Sequence, residues 1–463
     1  MTDSRISRFF RNMKGKTTAF IGIGVSHTDL MRFYRQKGLA VIACDKRTRE
    51  QIGPLADELE VLGITLRLGE GYLKGLSADV VFRTPGMLYG HPALAQLKKR
   101  GAVITSEMEV FFELCPCPIF AITGSDGKTT TTTIISELFK AQGKTVHLGG
   151  NIGLPLLASV EKIEENDMAV VELSSFQLIS MRCSMNVSVI TNISPNHLDM
   201  HKDMQEYIDA KRNVYLHQNG FSRTVLNEDN EITAGFMKEV RGELLSFSMK
   251  HPVEKGCYLG EDNILYMACG DKTIPVISAS DIRIPGRHNV ANFMAAICAV
   301  WGYVDIPVIE KLAKTFGGVE HRIEFVREVN GVRWYNDSIA TAPTRTIAAL
   351  NAFDRKIILI AGGSDKNIPY LPIGQKIVDN VKLLILLGVT AQKIEDTVKS
   401  MPDFEKSGLA ILRVNSLEQA VAKANEAAQS GDIVVLSPAS ASFDMFKDYK
   451  ERGHRFKDLV SSL

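Results

Sequence analysis

The sequence predicts an α/β protein of three domains, each built on a mostly parallel sheet. Short apolar, β-branched runs alternate with longer amphipathic stretches in three separate segments. Many of these runs end in small polar residues, which places chemistry at the carboxyl ends of parallel strands. At 463 residues the chain also exceeds what one hydrophobic core organises, at roughly 150 residues per domain.

The first segment opens with a strand from Thr18 to Ile23, a helix through Leu30 to Lys37 and a strand from Ala40 to Cys44. Between Thr105 and Pro118 the pattern breaks into an acidic helix and a CPCP stretch, so a boundary belongs nearby. The second segment begins with the strand Ile119 to Thr123 and continues through AVVEL and SVITNI. It carries what reads as an irregular, turn-rich insert at about 219–282 and ends at the Gly317-Gly318 hinge. KIILIAGG, VKLLILLG, a helix from Leu417 to Gln429 and DIVVLSPA make up the third segment. The expected domains are 1–106, 107–318 and 319–463.

Composition excludes several function classes. With 54 Lys and Arg against 53 Asp and Glu, a net charge of +1 creates no field to recruit nucleic acid or an anionic membrane. The basic start lacks the apolar core of a signal peptide, and no later stretch is apolar for long enough to span a bilayer. A soluble cytoplasmic protein with no membrane insertion is expected. Seven scattered cysteines fit a reducing compartment, and Cys115 and Cys117 read as a connector rather than a metal site, having no second ligand pair at zinc spacing.

ITGSDGKTTTTTIISELF reads as strand, glycine turn and helix. Gly124, Ser125, Asp126 and Gly127 can turn backbone N–H groups toward a phosphate at a helix N-terminus, Lys128 adds a point charge, and the Thr129 and Thr130 hydroxyls are placed for magnesium. The general GxxxxGK[ST] spacing is not met, because its first glycine would fall at Ile122. Near the N-terminus, Gly22 and Gly24 followed by Asp45 imitate a dinucleotide fingerprint, but His27 stands where the third glycine belongs. A nucleotide diphosphate suits this turn as well as NAD does, and a plain βα turn needs neither.

Further stretches follow in order: GGNIGLP, ELSSFQL, NHLDMH, AKRNVY, GRHNVANFMAA, HRIEFV, YNDSIAT, IAGGSDKNI and LSPASASFDMFKDYKERG. With TGSDGKTT they resemble the Mur ligase family over nearly the whole chain. ELSSFQL and SPASASFDMF are similar to the members that add D-glutamate to UDP-N-acetylmuramoyl-L-alanine, in the bacterial cytoplasm and as monomers. The resemblance implies a Rossmann-like N-terminal domain for the UDP end of the substrate, a central P-loop ATPase-type domain, and a Rossmann-like C-terminal domain that closes over ATP and binds the amino acid. It also implies ATP, two magnesium ions and an acyl phosphate intermediate.

Carried over position by position, the resemblance makes Lys128, Glu172, His197 and Lys211 catalytic, with Thr130, Glu172, His197 and Lys211 around metal. A carboxylate at the end of AVVEL is costly among apolar neighbours, which favours a ligand role for Glu172 over a core role, although it could also cap the next turn. Lys211 matches a lysine that is carbamylated in the family. Reaction with carbon dioxide needs the neutral amine, which at an ordinary pKa of about 10.4 is well under about 0.1% of the population at pH 7, so burial or nearby cations must lower that pKa. Asn289 and Asn292 match adenine contacts, Arg322 a γ-phosphate clamp and Asp337 a ribose contact. Thr341, Lys366, Ser442 and Phe443 fall on D-glutamate positions. Val25, Ser26, Asp45, Arg47, Thr84 and Gly86 fall on UDP-substrate positions, joined by Asn151, Ser174 and Phe176.

Three positions depart from the common pattern: Asn196 replaces an aspartate, Ile339 a lysine and Ala342 an asparagine. Competing expectations are a Mur-type or folylpolyglutamate-type ligase of other specificity, an NAD oxidoreductase suggested by the first glycine turn, and a nucleotide-binding relative without catalysis. The oxidoreductase leaves the phosphate loop unexplained, and retention of Lys128, Glu172, His197 and Lys211 speaks against the last.

Overall fold

The computed structural model describes residues 4–196, 200–366 and 368–463, which form three sheets with helices between the strands. The α/β class expected from the sequence holds. The first sheet contains β1 (Thr17–Ile21), β2 (Ala40–Asp45), β3 (Thr65–Leu68), β4 (Val80–Phe82) and β5 (Val103–Thr105). Its order is β3-β2-β1-β4-β5 and every pair is parallel.

The second sheet contains β6 (Ile119–Thr123), β7 (Val146–Gly150), β8 (Met168–Glu172), β9 (Val187–Ile190), β10 (Arg223–Asn227), β11 (Glu243–Ser248), β12 (Lys255–Leu259), β13 (Ile264–Cys269) and β14 (Lys272–Ser278). Strand order runs β14-β13-β12-β11-β10-β9-β6-β8-β7. This corrects the expectation of an irregular insert, because the region at about 219–282 supplies five strands of the sheet. β10 to β12 pair in parallel, whereas β12, β13 and β14 form an antiparallel meander. Short strands interrupted by Gly256 and Pro275 and joined by close turns read as loop in the sequence.

The third sheet contains β15 (Glu324–Val329), β16 (Val332–Asn336), β17 (Ile357–Gly362), β18 (Val381–Leu387), β19 (Ala410–Arg413) and β20 (Ile433–Leu436), in the order β15-β16-β20-β17-β18-β19. Only the β15–β16 pair is antiparallel among the described strands of this sheet.

The chain divides into two compact units: Met1–Ala279 with Ala291–Leu312, and Ser280–Val290 with Ala313–Leu463. In the first, the Phe20 and Phe82 rings stack at 4.7 Å inside the five-stranded sheet's core. The helix Glu107–Leu114 buries Met108, Phe111 and Leu114, and Glu107 accepts hydrogen bonds from Leu156 N and Leu157 N at 3.0 and 2.9 Å. No helix among the described residues is long and apolar enough to cross a membrane.

Strand order changes direction at β1 between β2 and β4, at β6 between β8 and β9, and at β17 between β18 and β20. Loops leaving neighbouring strands diverge at such points and open a crevice at the carboxyl edge. The Gly22–Gly24 turn, the phosphate loop and the turn before Lys366 each leave one of these three strands.

Candidate functional site

The phosphate loop joins β6 to the helix Lys128–Ala141, whose N-cap, Gly127, is left-handed at φ 78°. Both loop glycines are required by space as well as conformation. A β-carbon on Gly124, at φ 148°, would collide with Thr191 Oγ1, and one on Gly127 with Asn292 Oδ1. The loop is held by the segment after β9. Asn192 O accepts from Ser125 N at 2.8 Å, Asn192 Oδ1 accepts from Asp126 N at 3.0 Å, and Thr191 Oγ1 donates to Asp126 O at 2.5 Å. Ser125 Oγ lies 2.9 Å from both Ser194 O and Tyr207 OH. Lys128 Nζ donates to Ser125 O at 2.9 Å, curling over the loop it is expected to serve.

Lys211 comes from the helix Met204–Leu216 and reaches beneath the same loop. Its Nζ donates to Gly124 O at 2.7 Å and to Thr123 Oγ1 at 3.3 Å, and lies 4.7 Å from the Tyr207 ring centroid. The side chain is 1% exposed. Burial, followed by the nearby Lys128 charge, brings its pKa down to about 7 against the opposing pull of Glu172 and Asp126. Both effects favour the neutral amine.

Glu172 closes β8 and is 1% exposed. Its Oε1 accepts from Asn151 Nδ2 at 2.7 Å, while Oε2 is buried without a hydrogen-bond partner among the described residues. An orphaned carboxylate oxygen is costly in a protein interior and suits a site that receives a cation. Thr130 is buried in the first turn of the phosphate-loop helix, and Thr129 is half-buried beside it. His197 lies outside the described residues.

Beyond Glu172, Ser174 caps the helix Ser175–Leu178 in a reciprocal box with Gln177. The Phe176 ring stacks on His201 at 4.9 Å, with planes 7° apart. His201 in turn lies 2.9 Å from Ser175 Oγ and 3.2 Å from Glu206 Oε2.

At the end of the first sheet, Asp45 Oδ2 accepts from Ile23 N at 2.8 Å, and Asp45 Oδ1 accepts from Arg47 N at 2.9 Å. Burial pushes the Asp45 carboxyl up, but the Arg47 and Ile23 hydrogen bonds outweigh it and hold the group below its usual range. Val25 and Ser26 are exposed at the start of the helix Val25–Gln36, Thr84 stands beside Gly22, and Gly86 is exposed. Asn292 Oδ1 accepts from Thr131 Oγ1 at 3.3 Å, next to the phosphate loop.

In the second unit, Asn289 Nδ2 donates to Pro285 O at 2.6 Å. Asp337 follows β16 and is buried, accepting from Ser437 Oγ at 2.6 Å and Ile323 N at 3.2 Å. Burial pushes its carboxyl up to about 7 despite those bonds and the Arg322 and Arg345 charges. Arg322 and Thr341 are half-buried, and Lys366 is exposed. Ser442 is buried, whereas Phe443 is 71% exposed. The loop after β20 is tied to the loop after β16 by buried Arg452, which donates to Ser338 Oγ, Ser338 O, Ala441 O and Ser440 O at 2.9 to 3.2 Å.

The Mur ligase middle domain matches residues 122–300, and the Mur ligase glutamate ligase domain matches residues 321–440. The chain is 51% identical to the UDP-N-acetylmuramoylalanine--D-glutamate ligase of Acetivibrio thermocellus, over 100% of this chain and 99% of that one. The chain belongs to the Mur ligase family. Within it, this ligase stands among the UDP-N-acetylmuramoylalanine--D-glutamate ligases, ATP-dependent enzymes of peptidoglycan precursor synthesis. The counterpart from Clostridium botulinum strain 657 is 47% identical over 99% of this chain and all of that one. Among solved structures, the UDP-N-acetylmuramate-alanine ligase of Thermotoga maritima shares the fold with a TM-score of 0.57 at 18% identity, covering 96% of this ligase and 99% of that chain.

Residues that hold the expected site residues in place were not singled out from the sequence: Thr191, Asn192, His201 and Tyr207 in the first unit, and Arg452 in the second. Thr191 and Asn192 end the run SVITNI, so polar residues closing an apolar strand were the available signal. Cys115 and Cys117 lie buried between the helix Glu107–Leu114 and β6, their sulfurs 3.5 Å apart. Among the described residues, Glu320, His321 and His454 form a group of metal-capable atoms within 4.8 Å of one another. They suit a cation poorly. Lys457 Nζ already donates to Glu320 Oε1 at 2.7 Å. Asn336 Nδ2 donates to His321 Nδ1 at 2.9 Å, which leaves the ring proton on Nε2.

Proposed function

We propose that this ligase joins D-glutamate to UDP-N-acetylmuramoyl-L-alanine by two displacements. The substrate carboxylate attacks the γ-phosphorus of ATP, giving an acyl phosphate and ADP. The amine of D-glutamate then attacks the acyl carbon, and phosphate leaves through a tetrahedral intermediate. Such chemistry needs positioning, charge neutralisation and exclusion of water more than covalent help from the protein. The observation that carries the proposal is the meeting of a phosphate loop, a buried Glu172 whose Oε2 has no partner among the described residues, and a buried Lys211 reaching the same pair of neighbouring strand ends.

In this proposal the backbone N–H groups of residues 124–127 and the Lys128 ammonium hold the ATP phosphates. Thr130, Glu172, His197 and a carbamate on Lys211 would hold two magnesium ions, which supply charge neutralisation around the transferring phosphate. Hydroxyl and carboxylate oxygens suit magnesium, whereas an ammonium does not. The lowered pKa of Lys211 supports its conversion to a carbamate. Asn289 and Asn292 would bind adenine, Arg322 the γ-phosphate and Asp337 the ribose. Val25, Ser26, Asp45, Arg47, Thr84 and Gly86 would bind the UDP end, and Asn151, Ser174 and Phe176 the muramoyl-alanyl end. D-Glutamate falls to Thr341, Lys366, Ser442 and Phe443.

The three sheets support a division of labour over domains 1–106, 107–318 and 319–463, in an enzyme working as a monomer in the bacterial cytoplasm. Phosphate release from ATP that requires both UDP-N-acetylmuramoyl-L-alanine and D-glutamate tests the proposal. Release that follows another amino acid instead reassigns the specificity.

A further inference from the structure

Arg83 follows β4 directly and has no part in the reaction drawn above. An arginine is rarely buried fully unless its donors are engaged. This one is 1% exposed and among the largest fully buried side chains, with its two terminal nitrogens engaged and its Nε without a partner among the described residues. Its guanidinium works in two directions. Toward its own loop, Nη1 lies 3.5 Å from Met87 O, and Cζ sits 5.5 Å from the Tyr89 ring centroid. Away from that loop, Nη2 donates to Phe176 O at 2.8 Å and to Ser180 Oγ at 2.9 Å. The Arg83 backbone is fixed too, its N–H donating to Thr105 O at 2.9 Å. Phe176 is held on its far side by the face-to-face stack on His201.

We propose that Arg83 is a positioning residue that fixes the UDP-substrate loop, residues 84–89, against the Ser174–Phe176 loop that follows Glu172. The inference deepens the proposed function and rests on it, because it takes Thr84, Gly86, Ser174 and Phe176 as acceptor contacts. One planar group with donors to both sides sets the spacing of two loops that leave different sheets, and an acceptor carboxylate must be placed to within a fraction of an ångström. A lysine supplies a charge and a donor at one point, so it reproduces part of the link only.

The test is steady-state phosphate release by the full-length protein, varying UDP-N-acetylmuramoyl-L-alanine, ATP and D-glutamate in turn. Wild type is compared with Arg83→Met, Arg83→Lys and Ser180→Ala, each with its thermal unfolding curve. Arg83→Met is expected to raise the KM for the UDP substrate by about tenfold or more and to lower kcat, with the other two KM values within about twofold of wild type. Arg83→Lys should recover part of the loss. Ser180→Ala should shift the same KM by a smaller factor at an unchanged Tm. If Arg83→Met does not fold, Arg83→Lys and Ser180→Ala decide by the same selective change. A lower kcat that tracks lost folded protein, with all three KM values unchanged, overturns the inference and leaves Arg83 a stabilising residue. Absence of turnover by wild type with these substrates overturns the proposed function itself and the inference with it.

Discussion

Lys211 Nζ lies 2.7 Å from the carbonyl oxygen of Gly124, so a buried amine from a distant helix braces the phosphate loop from below. Its first consequence is catalytic. Lys211→Ala should lose nearly all ligase activity while staying folded, whereas loss of a solvated lysine would change stability by only about 0.5 kcal/mol and leave turnover intact. Because the missing group in the proposed mechanism is a small carboxylate, acetate or formate should restore part of the rate. Lys211→Arg should not respond, since its permanent charge and bulk fill the space without supplying an acceptor. Wild-type turnover by Lys211→Ala at saturating magnesium would remove the carbamate from the mechanism.

The same lysine carries a stability signature. With its pKa brought down to about 7 from an ordinary value near 10.4, the unfolded chain binds a proton between those limits that the folded chain does not. Stability therefore rises with pH across that window, and the burial penalty is fully present below it. Lys211→Met should gain most over wild type below about pH 7, with the gap narrowing toward pH 10, as read from urea unfolding at several pH values.

Glu107 provides the opposite sign. Burial pushes its carboxyl up to about 7, partly offset by the Leu157 and Leu156 N–H donors. The folded protein thus holds a proton that the unfolded chain has released above about pH 4.3. This contribution is complete below that value and is lost as pH rises through about 7. Glu107→Gln keeps an acceptor for both N–H groups and removes the titration, so its advantage over wild type should grow from pH 5 to pH 8, to roughly 1 to 3 kcal/mol. Parallel pH profiles for the two proteins would count against burial as the cause.

Lys128→Ala should abolish ATP turnover while UDP-substrate affinity, measured by calorimetry with the UDP-sugar alone, stays within about threefold. The phosphate loop leaves β6 and the proposed UDP loops leave β1, β2 and β4 in a different sheet. Equal loss of both affinities would undo that division.

Lys366→Ala should raise the KM for D-glutamate far more than that for ATP, by about tenfold or more, because a charge-assisted contact with the side-chain carboxylate would be lost. Lys366 is exposed after β17 and free to meet a soluble anion. A change confined to ATP would move it to the nucleotide site.

Legibility in the sequence followed the type of strand. Runs such as IFAIT and MAVVE are apolar up to their last, polar residue because parallel strands are buried on both faces, so β6 and β8 stood out, and with them the phosphate loop and Glu172. The meander of β12 to β14 was misread as irregular because Gly256 and Pro275 lie inside its strands and the turn residues Asp262-Asn263 and Gly270-Asp271 separate them closely. Arg83 escaped notice for a different reason: nothing local distinguishes a buried arginine from an exposed one, and its acceptors lie 93 and 97 residues away.

By itself, then, the sequence determined the α/β class, the strand ends at which loops diverge and the residue types able to hold phosphate and metal, since these depend on local patterning and spacing. Only the tertiary structure decided which groups are buried and who faces them. Lys211 titrates near 7 because it is packed under Gly124 and near Lys128, and Glu172 keeps one oxygen unpaired among the described residues because Asn151 takes only the other. Both are consequences of desolvation and long-range contacts, which no window of sequence contains.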